Sequence, residues 1–199
     1  MIALRDRWGS SALLVAALAA LPACSGPGQL VASDGSHRLI ARDTSGLTMV
    51  LTTEAWPGDS AYADDLTIVH VLVSNMGSET VLLAPGDFSL EDGRGFRYTL
   101  YDAGGAFRAV PAQAAGAPVD PIPYDPGADL RFETISTPDG ELGRLALPWG
   151  ALLPGTQMRG FLYFEDVRDT ANHATLMWKA QTPDHRPLNE IGFPLHVAR

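Results

Sequence analysis

Cys24 is the only thiol among 199 residues, so it can close no disulfide within the chain and needs another explanation. The five histidines, His37, His70, His173, His185 and His196, form no His-x-His or His-x-x-x-His pair. No short segment therefore offers two imidazoles to one metal. Zinc takes three or four nitrogen, sulfur or oxygen ligands, and a blue-copper centre needs a cysteine within the folded part beside two histidines. His70 meets a second imidazole only if its strand lies beside the one that carries His196. The carboxylates of Asp59 to Asp65 and of Asp87 to Asp92 lack the sixth-position glycine and twelfth-position glutamate of an EF-hand loop, and they read as solvated turn acids. Gly-x-Ser-x-Gly is absent, and Ser45, Ser60 and Ser136 have no neighbouring histidine in the sequence. Glu165 and Asp166 are adjacent at a strand end, where successive side chains point to opposite faces. These residues lead us to expect no catalysis and no cofactor. Aromatic contacts remain: Trp56 beside Pro57-Gly58, and Tyr124 with Asp125 inside Pro121-Ile122-Pro123-Tyr124-Asp125-Pro126. Trp178 reads as core.

Cys24 closes a leader. Arg5 and Arg7 precede an apolar run from Trp8 to Leu21, about 21 Å long as a helix against a hydrocarbon core of about 30 Å, so it does not comfortably span a bilayer. A positive start, a short apolar middle and a small residue before the cut describe a secretory signal. Leu21-Pro22-Ala23-Cys24 resembles the lipobox of bacterial lipoproteins, with Pro22 unusual within it. The resemblance implies cleavage before Cys24, acylation of that cysteine, and a membrane anchor of two or three chains. One chain anchors marginally, at about 0.8 kcal/mol per buried methylene, and two or more anchor firmly. Ser25 rather than aspartate after the cysteine favours the outer membrane by analogy with enterobacterial sorting. The alternative is an ordinary signal peptide that carries Cys24 away with it.

The formal net charge is −9. Removing residues 1–23 discards two arginines and one aspartate, which leaves the rest still more acidic. Lys179 is the one lysine. Such a body is repelled by nucleic acid and by anionic membrane surfaces, both of which are held by clustered lysine and arginine. With 46% hydrophobic residues the chain can build one core, so a single domain over 37–199 is expected. Residues 24–36, rich in Ser, Gly, Pro, Ala and Asp, read as a lipidated cysteine and flexible tether.

Beyond the tether the pattern is of short strands. Residues 46–55 are rich in strand formers and close on Pro57-Gly58-Asp59. Leu66 to Val73 is apolar on both faces, which predicts a central strand covered on two sides. Asp87 to Glu91 and Phe96 to Tyr101 flank Asp92-Gly93-Arg94-Gly95, a hairpin by spacing and residue type. A strand is expected at 80–84, and further strands at 129–136, 142–147, 156–165, 174–180 and 190–198. No apolar period of 3.6 residues extends over three turns after residue 24. About nine strands in two antiparallel sheets, an all-β immunoglobulin-like sandwich, is the expected architecture. Residues 102–128 interrupt it with Ala, Gly and five prolines, and read as a long loop without room for a central strand.

Two stretches resemble telokin-like, immunoglobulin-like bacterial domains in the DUF4352 style. One is Val69-His70-Val71-Leu72-Val73-Ser74-Asn75 with the hairpin Phe88 to Tyr98. The other is Leu152-Leu153-Pro154-Gly155-Thr156-Gln157-Met158-Arg159-Gly160-Phe161-Leu162-Tyr163-Phe164-Glu165. Here Pro154 and Gly155 set a tight turn and Gly160 permits close backbone approach. The likeness covers roughly 46–197 and departs at the 102–128 insertion and at Pro138-Asp139-Gly140. It implies an exported, often lipid-anchored, non-catalytic envelope protein. The expected role is a protein-binding or assembly module that holds an envelope protein as partner and sits on the membrane through lipid on Cys24. Tyr124, Asp125 and Trp56 are its candidate contacts. A structural or stress-related lipoprotein without a dedicated ligand, or a periplasmic metal-binding protein, are the alternatives.

Overall fold

The computed structural model describes residues 29–111, 130–136, 140–167 and 171–198. The strands of the amino-terminal half are β1 Gln29–Ala32, β2 Arg38–Arg42, β3 Leu47–Thr52, β4 Leu66–Asn75, β5 Val81–Leu83, β6 Phe88–Asp92, β7 Arg97–Tyr98, β8 Leu100–Tyr101 and β9 Ala106–Pro111. Those that follow are β10 Leu130–Ser136, β11 Trp149–Leu152, β12 Thr156–Glu165, β13 His173–Gln181 and β14 Pro187–Ala198. Two short helices, α1 Ser60–Asp65 and α2 Gly140–Leu145, join them. One sheet runs β1-β14-β13-β5-β11-β9-β10, with β6 also on β13 and β7 on β6; the other runs β2-β3-β4-β12-β8. Every ladder between strands is antiparallel except β11 with β9.

The chain is thus an all-β sandwich. Period-two alternation places Val69, Val71 and Val73 of β4 and Leu162 and Phe164 of β12 in one core with Leu90, Leu176, Ile191, Phe193 and Leu195 of the facing sheet. Trp178 is fully buried there and stacks on Phe88 at 6.0 Å between centroids. The opposite face of β4 is covered over its first half, where Leu66 and Ile68 join Phe161, Tyr163, Trp56, Leu142 and Leu145 in a second, smaller apolar cluster. The central-strand reading of 66–73 holds for this reason.

Local turn chemistry behaves as its residues require. Gly155 takes φ +77° and Leu153 O accepts from Thr156 N at 3.2 Å, the type II pattern with Pro154 at its second position. The hairpin after β6 closes on Asp92, whose Oδ1 accepts from Arg94 N at 2.8 Å and Phe96 N at 2.9 Å. Registers Leu90↔Tyr98 and Glu91↔Arg97 follow from it.

Several segments differ from the sequence reading. Residues 142–147 are not a strand: Leu142 and Leu145 sit three apart in α2 and pack on the outer face of β12, a spacing too brief to register as a helical period. Within the tether reading of 24–36, β1 pairs with β14 because Leu30, only 4% exposed, belongs to the core. Within the loop reading of 102–128, β9 pairs with β10 and sets Phe107 into the core, since the prolines begin only at Pro111. The described strands number fourteen rather than about nine, the excess being mostly short edge pieces. No helix among the described residues is long and apolar enough to cross a membrane.

Candidate functional site

The outer face of the five-stranded sheet carries His70 and Arg159 beside an open cleft. Register sets it: His70 lies opposite Phe161, and Leu72 opposite Arg159. His70 and Arg159 are therefore diagonal neighbours on one face, within reach of long side chains. Gly160 makes the next step possible. A Cβ there would stand 2.4 Å from both Cα and N of Leu147, so only glycine lets the segment after α2 lie against β12. That segment is held by Leu147 N donating to Phe161 O at 2.9 Å and by a parallel bridge between Ala146 and Phe161. The close approach expected of Gly160 is thereby accounted for.

The result is a cleft of about 590 Å³. Its sheet side is His70, Arg159 and Phe161; its other side is Arg144, Leu145 and Pro148, and no carboxylate among the described residues lines it. Arg144 and Arg159 are exposed, and neither guanidinium has an ion-pair partner among the described residues. The His70 ring meets Phe161 edge to face at 5.0 Å. Burial holds the imidazole below its ordinary pKa, and the nearby Arg159 charge acts in the same direction. Beneath the cleft, Tyr163 Oη donates to Leu142 O at 2.9 Å, and burial, with Glu141 nearby, raises the phenol further.

Trp56 stands next to this cleft, half-buried. Its ring lies edge-on to Phe161 at 5.1 Å, Tyr163 at 5.7 Å and Tyr62 at 6.3 Å, and Nε1 donates to Asp59 O at 2.9 Å. Asp59 in turn caps α1 by accepting from Ala61 N at 3.0 Å. Cys24, Tyr124 and Asp125 lie outside the described residues.

His70 does not meet His196. The two belong to different sheets, and His196 instead lies opposite His173 on β13 and β14, ring centroids 4.5 Å apart. No group of three or more histidines, cysteines or acids is gathered for a metal among the described residues. Asp87 and Asp92 are not solvated turn acids: each is 5% exposed. Asp92 is held below the usual carboxylate range first by the Phe96 amide, whereas burial raises Asp87. Glu165 accepts from Thr99 N and Oγ1 at 3.4 and 3.3 Å.

Sequence reasoning passed over Arg144 and Arg159. Arg159 shares the parity of Phe161 along β12, a signal present in the sequence; Arg144 falls in a stretch read as strand, and its approach to His70 depends on α2.

No family model and no curated protein matches the chain. Among solved structures it is similar to the crystal structure of a candidate lipoprotein (ycdA) from Bacillus subtilis subsp. subtilis str. 168, at 13% identity and a TM-score of 0.42. That alignment takes in 81% of this chain and 39% of the other, so this chain spans well under half of that structure.

Proposed function

We propose that the chain is a lipid-anchored envelope protein whose sandwich binds a partner and transforms nothing, with Cys24 as the acylated residue. The observation that carries the binding reading is the cleft over β4 and β12. Two of its polar groups are guanidiniums, which keep their protons at all ordinary pH and so recognise rather than exchange them. It rests on a doubly packed sheet, the kind of rigid support on which recognition surfaces are carried. The anchor reading rests on the leader, with Arg5 and Arg7, a short apolar run and Leu21-Pro22-Ala23-Cys24. An envelope protein is the favoured partner, and Tyr124, Asp125 and Trp56 are the contacts we propose for it.

Fractionation tests the anchor directly. In a bacterial host the wild-type protein should sediment with membranes and yield an amino terminus at an acylated Cys24, while Cys24→Ala should lose most of its membrane association. Equal sedimentation of the two proteins, or mature material that keeps residues 1–23, would refute it. Pull-down from envelope extracts with and without residues 113–127, a deletion that keeps β9 and Phe107, tests these contacts: a deletion that retains every partner removes the assignment of Tyr124 and Asp125.

A further inference from the structure

We infer that the cleft between α2 and β12 is a binding site for a small amphipathic anion, a molecule with one apolar face and one oxyanion group. Four observations converge on this. The protein is strongly acidic, with net charge −9, yet the cleft gathers Arg144, Arg159 and His70 with no carboxylate among the described residues that line it. Both guanidiniums lack ion-pair partners among the described residues, although elsewhere on this surface Arg94 pairs with Asp92 and Arg186 with Glu79. Apolar surface lies beside each guanidinium, Phe161 next to Arg159 on the sheet side and Leu145 and Pro148 next to Arg144 on the other. At about 590 Å³ the space falls within the range, about 300–1,000 Å³, that takes a small organic ligand.

The chemistry follows from the geometry of the donors. A guanidinium presents a planar fork that matches the two oxygens of a carboxylate or phosphate, and such charge-assisted bonds are about twice as strong as neutral ones. Phe161, held edge-on by Trp56 and His70, supplies a rigid apolar surface for the ligand body. An apolar body without the anionic group leaves both guanidiniums unanswered. A bare inorganic anion leaves Phe161, Leu145 and Pro148 wet. The two halves together select an organic carboxylate or phosphate monoester.

This assignment deepens the binding reading above but does not depend on Cys24, Tyr124 or Asp125. The test therefore uses the full-length protein in non-ionic detergent, with a detergent-only blank, and calorimetric titration of benzoate, phenyl phosphate and benzamide. Benzoate or phenyl phosphate should bind about tenfold or more tightly than neutral benzamide, and the stronger of the two distinguishes a carboxylate from a phosphate source. Arg159→Gln and Arg144→Gln should each weaken that anion by about tenfold. Arg97→Gln, on the other sheet, should leave affinity unchanged, and unfolding midpoints should show that all three variants remain folded. Benzamide binding as well as the anions, indifference to both cleft substitutions, or no saturable anion binding up to about 10 mM would overturn the assignment. Membrane release of Cys24→Ala with no anion binding would remove this site and leave the anchored-module reading standing.

Discussion

Asn75 shows how much a single buried amide holds in place. It is fully buried, and its Nδ2 donates to Glu79 O at 2.7 Å and Leu152 O at 3.0 Å while its Oδ1 accepts from Gly77 N at 3.1 Å. The turn after β4 and the end of β11 are thereby tied to one side chain. Asn75→Asp turns two donors into a carboxylate facing two carbonyl oxygens, and should cost about 2–4 kcal/mol at neutral pH, more than Asn75→Ala. Urea unfolding at neutral pH checks the ranking. His70 has a different signature. Its folded pKa lies below the ordinary 6.5, chiefly through burial and secondarily through Arg159, so below that pH the unfolded chain binds more protons than the folded one. The associated stability is fully present above pH 6.5 and is lost as pH falls from there through the lower folded value. His70→Gln should flatten this part of the unfolding profile between about pH 7.5 and 5. A wild-type-minus-variant difference that does not change with pH would contradict it.

Among the elements, β12 does the most. It pairs with β4 along its full length and with β8 at two positions. It contributes Leu162 and Phe164 to the main core and Phe161 and Tyr163 to the outer cluster, so both of its faces are structural at its carboxy-terminal half. Gly160 marks where the outer face changes from covered to open. Gly160→Ala brings a methyl to 2.4 Å from Leu147 backbone atoms, which forces the segment after α2 away from the strand. The expected cost is about 1–3 kcal/mol of stability, as for an overpacked core, with weakened anion binding because Arg144 moves with that segment. Gly86→Ala, which meets nothing within 4 Å at an ordinary φ, is the matched control and should stay within about 0.5 kcal/mol of wild type. Denaturant midpoints of the two variants side by side decide the point.

For the molecule as a whole, the two faces of the sandwich differ in kind. The outer face of the five-stranded sheet bears a half-cover of α2 and Trp56 with a cationic cleft at its margin. On the nine-stranded sheet, the pair His173 and His196 sits with Val31 opposite His196 on the next strand. A cationic cleft on an acidic protein attracts anionic molecules by contrast with the surrounding charge. The anchor and the cleft belong to separate parts of the chain, which is why their tests fail independently.

What the sequence determined by itself was local. Pro154-Gly155 specified its turn, Asp92-Gly93-Arg94-Gly95 its hairpin, and the alternation through Leu66 to Val73 a strand that must be covered on both sides, because turn chemistry and side-chain parity depend on residues only a few positions apart. The tertiary structure decided the partners. It put His196 beside His173 rather than His70, recruited Leu30 and Phe107 from segments that read as tether and loop, and folded Leu142 and Leu145 into a short helix over Tyr163. The cleft depends on the last of these choices. Arg144, Arg159 and His70 are brought together by register across β4 and β12 and by the crossing at Gly160, and contacts between residues so far apart along the chain are set by which faces can be buried together, a property no local pattern contains.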